Sequence, residues 1–271
     1  MSIASRPAHL ARRGARGVGA RLATLRFSRQ LDVQPRDDLV HLGSEYGGYV
    51  VPMGLLGPDA TCYSCGVGED VSFDLELIAA TGCRVRAFDP TPRAEEFARS
   101  VAMREPRFSF FPYGIWKADE TMRFFSPEDE THVSHSIDNL QQTRDYFEAE
   151  CRSVTSIMAE LGDDRIDLLK LDVEGAEYEI LQSIIDTDVE IRTVCAEFHK
   201  VTTVGDMIAA VRRFVAAGFV PVHADGFTAT FVRSGGPATA SGSVRWGGPR
   251  RVRRRRGFRA PRASSARCAT R

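Results

Sequence analysis

Hydrophobic residues between positions 61 and 233 recur at two spacings, one typical of buried strands and the other of amphipathic helices. Short apolar runs predict strands over 61–65, 83–88, 107–112, 166–171, 193–198, 219–223 and 227–233. Apolar positions three and four residues apart predict helices over 70–80, 93–103, 175–185 and 203–217. This alternation predicts an α/β fold with a mostly parallel central sheet. Because Asp225-Gly226 separates the last two strands, we expect them to form a C-terminal antiparallel hairpin.

The helical spacing also predicts which side chains face the sheet. In the first helix these are Val71, Leu75, Ile78 and Ala79, and in the third they are Ala176, Ile180, Leu181 and Ile184. The run 166–171 is apolar almost throughout, which is typical of a strand buried on both faces.

Charge is unevenly distributed along the 271 residues. Residues 1–31 contain seven Arg and residues 234–271 contain eleven, and neither stretch has an acid, so residues 32–233 are strongly acidic. We predict a basic disordered leader over 1–31, a folded domain over 32–233 with an insertion at about 114–165, and an Arg-rich disordered tail over 234–271. Three interpretations of these ends remain open. The leader is a transit peptide, the tail binds polyanions, or both are extensions without a role.

No apolar run approaches the roughly 20 residues of a membrane-spanning helix. Cys62-x-x-Cys65 has no second pair that would complete a zinc site, and the six cysteines show no disulfide spacing. We therefore expect a cytoplasmic protein with reduced thiols. The sequence carries no signal for an oligomeric state.

A glycine turn follows the first predicted strand and precedes the first predicted helix. Gly66-Val67-Gly68 lets a ligand approach the backbone, but Asp70 replaces the third glycine of the dinucleotide motif and would repel a pyrophosphate. The turn therefore argues against NAD and FAD and favours a cofactor without phosphate. Asp89 ends the second strand 21 residues beyond Gly68, close to the spacing of an acid that binds ribose hydroxyls.

A second acidic site follows the strand 166–171. In the run Lys170-Leu-Asp-Val-Glu-Gly-Ala-Glu177, carboxylates stand where a buried strand ends, at the edge where open α/β sheets bind ligands. Glu174 and Glu177 would also lie in the first turn of a helix, where negative charge is favourable without any ligand.

The run Leu168-Leu-Lys-Leu-Asp-Val-Glu-Gly-Ala-Glu177 resembles the signature of the FkbM family of methyltransferases. Supporting similarities over 42–233 are the segments 42–48, 66–74, 88–92 and 133–137. The resemblance implies a Rossmann-like class I methyltransferase fold and S-adenosylmethionine as the methyl donor. It also implies O-methylation of a hydroxyl on a sugar or a secondary metabolite, so the expected partner is a small hydroxylated acceptor.

The resemblance implies roles for individual residues. Gly66, Val67 and Gly68 would line the methionine and ribose, Asp89 would hold the ribose, Gly114 would lie near the adenine and Asp172 near the transferred methyl. One position departs from the wider class, because Ser64 stands where many relatives have an acid that holds the methionine amine. Asp70 or Glu69 could supply that contact instead.

A hydroxyl acceptor has to lose a proton, which calls for a base near the methyl group. Asp172 and His199 are the candidates, and His135 is a further imidazole that could face the substrate. His132 and His135 have a metal-ligand spacing, but two ligands do not make a site. A magnesium ion held by Asp172 and Glu174 is a separate hypothesis, since oxygen ligands suit that ion.

Other functions remain open at this stage. A transferase or hydrolase acting on nucleotide sugars would be supported by basic residues near Gly66, and none are there. A non-catalytic module could bind S-adenosylmethionine or a nucleotide and use the basic ends for interactions. Nucleic acid is disfavoured as a partner of the core, because its net charge has the wrong sign. The aromatic residues of the insertion are expected to build the acceptor pocket: Trp116, Phe124, Phe125, Tyr146 and Phe147.

Overall fold

The computed structural model describes residues 27–125, 145–199 and 203–235. Its elements are, in chain order, β1 (Leu39–Leu42), β2 (Tyr49–Pro52), a 3-10 turn (Met53–Leu55), β3 (Thr61–Cys65), α1 (Ser72–Thr81), β4 (Arg84–Phe88), α2 (Pro92–Ala102), β5 (Phe108–Phe111), β6 (Gly114–Trp116), β7 (Glu120–Phe125), β8 (Tyr146–Ser153), α3 (Val154–Leu161), β9 (Ile166–Leu171), α4 (Glu177–Thr187), β10 (Ile191–Glu197), α5 (Val204–Ala216), β11 (Phe219–Asp225) and β12 (Thr228–Arg233).

Seven strands form the central sheet in the order β11-β12-β10-β9-β3-β4-β5. The five strands from β10 to β5 are parallel, and β12 runs antiparallel to both β10 and β11. Along the chain, β3, β4 and β5 extend the sheet to one side, and β9, β10 and the hairpin of β11 and β12 extend it to the other. The strand order therefore reverses between the neighbours β3 and β9. A crevice opens at the carboxyl ends of strands where such a reversal occurs. The predicted Rossmann-like class I methyltransferase fold, with its C-terminal antiparallel hairpin, is confirmed by this strand order.

Apolar side chains cover both faces of the sheet. Tyr63 and Leu169 belong to one hydrophobic cluster, while their neighbours Cys62 and Leu168 belong to a second, because successive residues of a strand point to opposite faces. Helices α3, α4 and α5 contribute to the first cluster and α1 and α2 to the second. All six residues of β9 are buried, as its apolar run predicts.

The predicted inner face is right for α4 and partly wrong for α1. Ala176, Ile180, Leu181 and Ile184 are all buried. In α1, however, Leu75 is 38% exposed and Ala79 is exposed as well, whereas Phe73 and Leu77 are buried beside Ile78. The helix begins at Ser72, two residues later than predicted, and the large Phe73 ring packs on Tyr49, which turns Leu75 towards solvent.

The predicted boundary between leader and domain at residue 31 is wrong. Phe27 is completely buried, with its ring centroid 5.3 Å from that of Phe198 and 5.5 Å from that of Phe227, and Leu31 is also buried. The packed part of the chain therefore includes residues 27–31. The rest of the predicted leader and the predicted tail beyond residue 235 lie outside the described residues.

The predicted insertion at 114–165 contains two different structures. Strands β6, β8 and β7 form a separate three-stranded sheet. Helix α3, in contrast, buries Val154, Ile157 and Met158 in the main core, so it is a layer of the fold rather than an addition to it. Residues 126–144, which include His132 and His135, lie outside the described residues. Within the described ranges, no helix has both the length and the apolar character needed to span a bilayer.

Candidate active site

The glycine turn after β3 fits against the end of β9. Gly66 has φ +74° and Gly68 has φ +50°, which are left-handed conformations that favour glycine. The Gly66 N–H donates to the carbonyl of Phe88, and the Asp172 N–H donates to the carbonyl of Cys65. A Cβ on Gly66 would lie 1.7 Å from the carbonyl oxygen of Asp172. Only glycine allows the two strand ends to approach this closely.

Asp89 fastens this turn to the start of α2. Its Oδ2 accepts hydrogen bonds from the N–H groups of Val67 (3.1 Å) and Gly68 (3.0 Å). Its Oδ1 accepts from the N–H (2.9 Å) and the hydroxyl (2.6 Å) of Thr91, which also caps α2. The carboxylate is buried and accepts four hydrogen bonds from the protein alone. The sequence predicts that Asp89 holds a ribose, whereas its contacts give it a structural role in holding the turn.

Asp70 holds the loop between β1 and β2 against the cleft. Its carboxylate accepts from the Ser44 hydroxyl at 2.6 Å and from the Ser72 N–H at 2.8 Å. Burial raises the pKa of Asp70, but the hydrogen bonds from Ser44 and Ser72 outweigh burial and lower it overall. The loop presents Tyr46, whose side chain is 84% exposed, at the mouth of the cleft.

A buried lysine lies directly beneath the glycine turn. Lys170 is 4% exposed, and its Nζ donates to the carbonyl of Gly66 at 2.8 Å and lies 3.6 Å from Oδ2 of Asp172. Ser64, which replaces the acid of the wider class, is buried opposite Lys170 in the parallel ladder. Asp74 in α1 is also buried, and burial raises its pKa to about 6 despite the opposing charge of Lys170.

Asp74 supports a prediction about stability and pH. Because its folded pKa of about 6 exceeds the ordinary 3.8, its ionisation destabilises the fold, fully above pH 6 and not at all below about pH 4. Asp74→Asn should therefore raise the unfolding free energy at pH 7.5 by up to about 3 kcal/mol, and have little effect at pH 4. Asp70→Asn is the matched control with the opposite sign. Because the pKa of Asp70 is lowered, its ionisation stabilises the fold above about pH 4, so this variant should be less stable than the wild type at pH 7.5. Urea unfolding at both pH values measures the two effects. If Asp74→Asn stabilised the fold equally at pH 4 and pH 7.5, the raised pKa of Asp74 would be contradicted.

His199 follows β10 and lies between two glutamates. Its Nδ1 is 2.8 Å from Oε1 of Glu177, which is fully buried, and its Nε2 is 3.2 Å from Oε2 of Glu174. Burial lowers the pKa of His199, but Glu177, Glu174 and Asp172 together raise it to about 9. An imidazole that keeps its proton at neutral pH cannot accept one from a hydroxyl. The geometry thus argues against the prediction that His199 is the catalytic base.

A cleft lies at the reversal of strand order, and its empty space of about 890 Å³ includes open solvent at the mouth. It is lined by residues 46–47, 66–70, 88–91, 114–115, 124, 170 and 172–174. Five of the lining residues are acids, namely Glu69, Asp70, Asp89, Asp172 and Glu174. Lys170 is the one basic residue among the described residues that line the cleft, and it is already bonded to Gly66. The cleft therefore attracts cations and repels phosphates.

A family model described as the methyltransferase FkbM domain matches residues 61–221, more than half of the chain. The chain belongs to this family. Among curated proteins, it is 29% identical over 140 residues to the protein called probable methyltransferase-like protein 24, both from Rattus norvegicus and from Homo sapiens. The match covers 51% of this chain and 32% of each relative, so the chain spans about a third of the length of these relatives.

Several solved structures are similar to this FkbM-family chain. One is the methyltransferase FkbM from Methylobacillus flagellatus KT, with 14% identity, a TM-score of 0.45, and coverage of 67% of this chain and 48% of that one. Another is Aeropyrum pernix fibrillarin with bound S-adenosyl-L-methionine, with 10% identity, a TM-score of 0.39, and coverage of 75% and 86%. Both TM-scores are below 0.5, so the fold class rests on the strand order described above.

The cleft of this FkbM-family domain brings most of the predicted site residues together. All seven predicted cofactor-binding residues line it: Gly66, Val67, Gly68, Asp70, Asp89, Gly114 and Asp172. His199 borders it through Glu174, and His135 lies outside the described residues. Of the five aromatic residues expected to build an acceptor pocket, Phe124 lines the cleft, while Phe147 stacks behind it.

Sequence reasoning missed two residues of the site. The sequence could have indicated Lys170, because a lysine inside an otherwise apolar buried strand needs hydrogen-bond acceptors close to it. Tyr46 lies in the segment 42–48 that resembles the family, but only the packing of the loop between β1 and β2 places it over the cleft.

Proposed function

We propose that this domain binds S-adenosylmethionine in the acidic cleft and transfers the methyl group to a hydroxyl of a small acceptor, such as a sugar or a secondary metabolite. The observation that carries this proposal is the charge of the cleft, with five lining acids against one lysine that is already bonded. S-adenosylmethionine brings a sulfonium and an ammonium against one carboxylate and has no phosphate, so its net positive charge suits this lining. Dinucleotides and nucleotide sugars, which bring negative phosphates, do not.

The lining residues divide the cleft into three parts. Gly66, Val67, Gly68 and Asp70 would hold the methionine and ribose, and Gly114 with Ile115 and Phe124 would contact the adenine. The ammonium would bind near Asp70, or near Glu69 if the surface pair of Glu69 with Arg93 opens, since Ser64 is buried and does not line the cleft. In this arrangement Asp172 lies at the reacting end, where β9 stops.

The sulfonium supplies an activated methyl group, and the domain has to align an acceptor with it. The acceptor oxygen would form the new C–O bond as the S–CH3 bond breaks, the electron pair of that bond would stay on sulfur, and Asp172 would take the hydroxyl proton. Asp172 suits this role by position, because its carboxylate faces the cleft and is about a quarter exposed. Lys170, 3.6 Å away, keeps the carboxylate in place.

The proposal is tested by incubating the full chain with S-adenosylmethionine labelled in its methyl group and a panel of sugars, polyols and phenolic metabolites. We expect label in an acid-stable ether product. Asp172→Asn should lower turnover at least about 100-fold, the usual contribution of a positioned base, and leave cofactor affinity within about threefold.

The matched control is Asp163→Asn. Asp163 accepts hydrogen bonds from Tyr63 and Arg86 and does not line the cleft. We expect its substitution to change turnover of the folded enzyme by less than about twofold. Label transferred only to amine or thiol acceptors contradicts the O-methylation part of the proposal.

A further inference from the structure

A histidine and two carboxylates converge at the inner end of the cleft. One ligand atom each from Asp172, Glu174 and His199 lies within 4.8 Å of the others, and Nε2 of His199 is 3.2 Å from Oε2 of Glu174. Ligands about 2.2 Å from a common metal ion are separated by at most about 4.4 Å. A small closing movement of these side chains would therefore bring all three onto one ion.

The orientation of the imidazole is fixed from outside this group. Glu177 is fully buried, and its Oε1 lies 2.8 Å from Nδ1 of His199, so Nε2 is the atom turned towards Asp172 and Glu174. Glu177 in turn accepts from the N–H groups of Val173 and Gly175. A buried carboxylate on the far nitrogen of an imidazole is the common support of a metal-binding histidine.

A second observation points to a ligand at this place. Tyr49 is 2% exposed, and its hydroxyl is directed at Asp172 without a well-aligned hydrogen bond to any described residue. A buried hydroxyl without a partner costs free energy and calls for an unseen one. A water molecule on a metal ion bound to Asp172 would provide that partner.

The charges around the group also favour a divalent cation. Glu197, at the end of β10, is close enough for its charge to interact with those of Asp172, Glu174 and Glu177. Four carboxylates thus face His199 and Lys170, and Lys170 is also bonded to the carbonyl of Gly66. A divalent cation would balance this excess of negative charge.

We propose that Asp172, Glu174 and His199 bind a divalent first-row ion such as Mn²⁺ at the acceptor end of the cleft. The mixed donor set selects the ion: carboxylates suit Mg²⁺ and Mn²⁺, whereas an imidazole suits the transition metals. This differs from the magnesium hypothesis based on Asp172 and Glu174 alone.

The role of the ion rests on the proposed methyl transfer. An acceptor hydroxyl bound to the ion gives up its proton more readily, because the cation stabilises the developing negative charge on oxygen. Asp172 has two carboxylate oxygens, so one can bind the ion while the other accepts the proton. An acceptor with two neighbouring oxygens would fit best, since both could bind the ion.

Mn²⁺ binding to the full chain can be measured by the loss of the free-ion signal in electron paramagnetic resonance, with and without S-adenosylmethionine. We expect saturable binding of one ion per chain. Glu174→Gln and His199→Gln should each weaken it at least about tenfold. Glu179→Gln is the control, because Glu179 lies five residues beyond Glu174, in the first turn of α4, and pairs with Lys117 at the surface. This variant should bind Mn²⁺ as the wild type does.

A second measurement needs no variant. In histidine-labelled wild-type protein, substoichiometric Mn²⁺ should broaden the nuclear magnetic resonance signals of one of the six histidines first, and that histidine should be His199. Absence of saturable binding, equal affinity in Glu174→Gln and His199→Gln, or broadening of a different histidine overturns the site. Saturable Mn²⁺ binding at His199 without any binding of S-adenosylmethionine supports the site and instead contradicts the proposed function.

Discussion

Gly66→Ala should abolish cofactor binding and destabilise the domain. The added Cβ would lie 1.7 Å from the carbonyl oxygen of Asp172, and both are backbone-fixed, so β3 and β9 would have to separate at the reacting end of the cleft. We expect a loss of about 4 kcal/mol or more in unfolding free energy, and an affinity for S-adenosylmethionine at least about 100-fold weaker. Urea unfolding and calorimetric titration measure the two effects.

Gly162→Ala is the control for Gly66→Ala. Gly162 ends α3 with φ +69°, close to the φ of Gly66, but an added Cβ there meets nothing within 4 Å. The substitution should cost only the left-handed strain of about 1–2 kcal/mol and leave cofactor affinity unchanged. If Gly66→Ala resembled Gly162→Ala in both measurements, the close contact between the turn and Asp172 would not matter for binding.

Asp89→Ala should weaken cofactor binding through the glycine turn. The substitution leaves the N–H groups of Val67 and Gly68 without their acceptor and also releases Thr91. Buried groups that lose hydrogen bonds to a charge cost about 1–3 kcal/mol each, so we expect a destabilisation of about 3 kcal/mol and at least about tenfold weaker affinity.

Hydrogen exchange of the cofactor-free protein separates the fastening role of Asp89 from a role in binding ribose. If Asp89 holds the turn, exchange at the amides of Val67 and Gly68 should accelerate in Asp89→Ala by more than exchange at the amides of β9, which reports only the loss of global stability. Unchanged exchange at Val67 and Gly68 together with weaker binding would instead favour direct contact between Asp89 and the ribose.

The sequence predicts the central sheet well, because the information is local. Each buried strand is a short apolar run, and in β9 nearly every residue is apolar because both faces are covered. The positions of Gly66, Asp89 and Asp172 follow from the same pattern, since all three come directly after predicted strands. The hairpin of β11 and β12 follows from Asp225-Gly226.

Packing between distant segments explains what the sequence does not reveal. Phe27 belongs to the core because its ring contacts Phe198 and Phe227, some 170 and 200 residues further along the chain. Leu75 fits the helical pattern yet faces solvent, because Phe73 and Leu77 occupy the space against the sheet.

The same limit applies within the site. Asp89 has the right spacing for a ribose ligand, but only the fold shows that four protein hydrogen bonds already use its carboxylate. His199 has the right location for a base, but the two glutamates beside it raise its pKa to about 9.

Isothermal titration calorimetry of the full chain tests the central claim most directly, with S-adenosylmethionine, S-adenosylhomocysteine, NAD and ATP as separate ligands. An acidic cleft built for a cofactor without phosphate predicts saturable binding of S-adenosylmethionine and S-adenosylhomocysteine and no measurable binding of NAD or ATP at the same concentrations. Binding of NAD or ATP by the folded protein, with none of S-adenosylmethionine, would contradict the account.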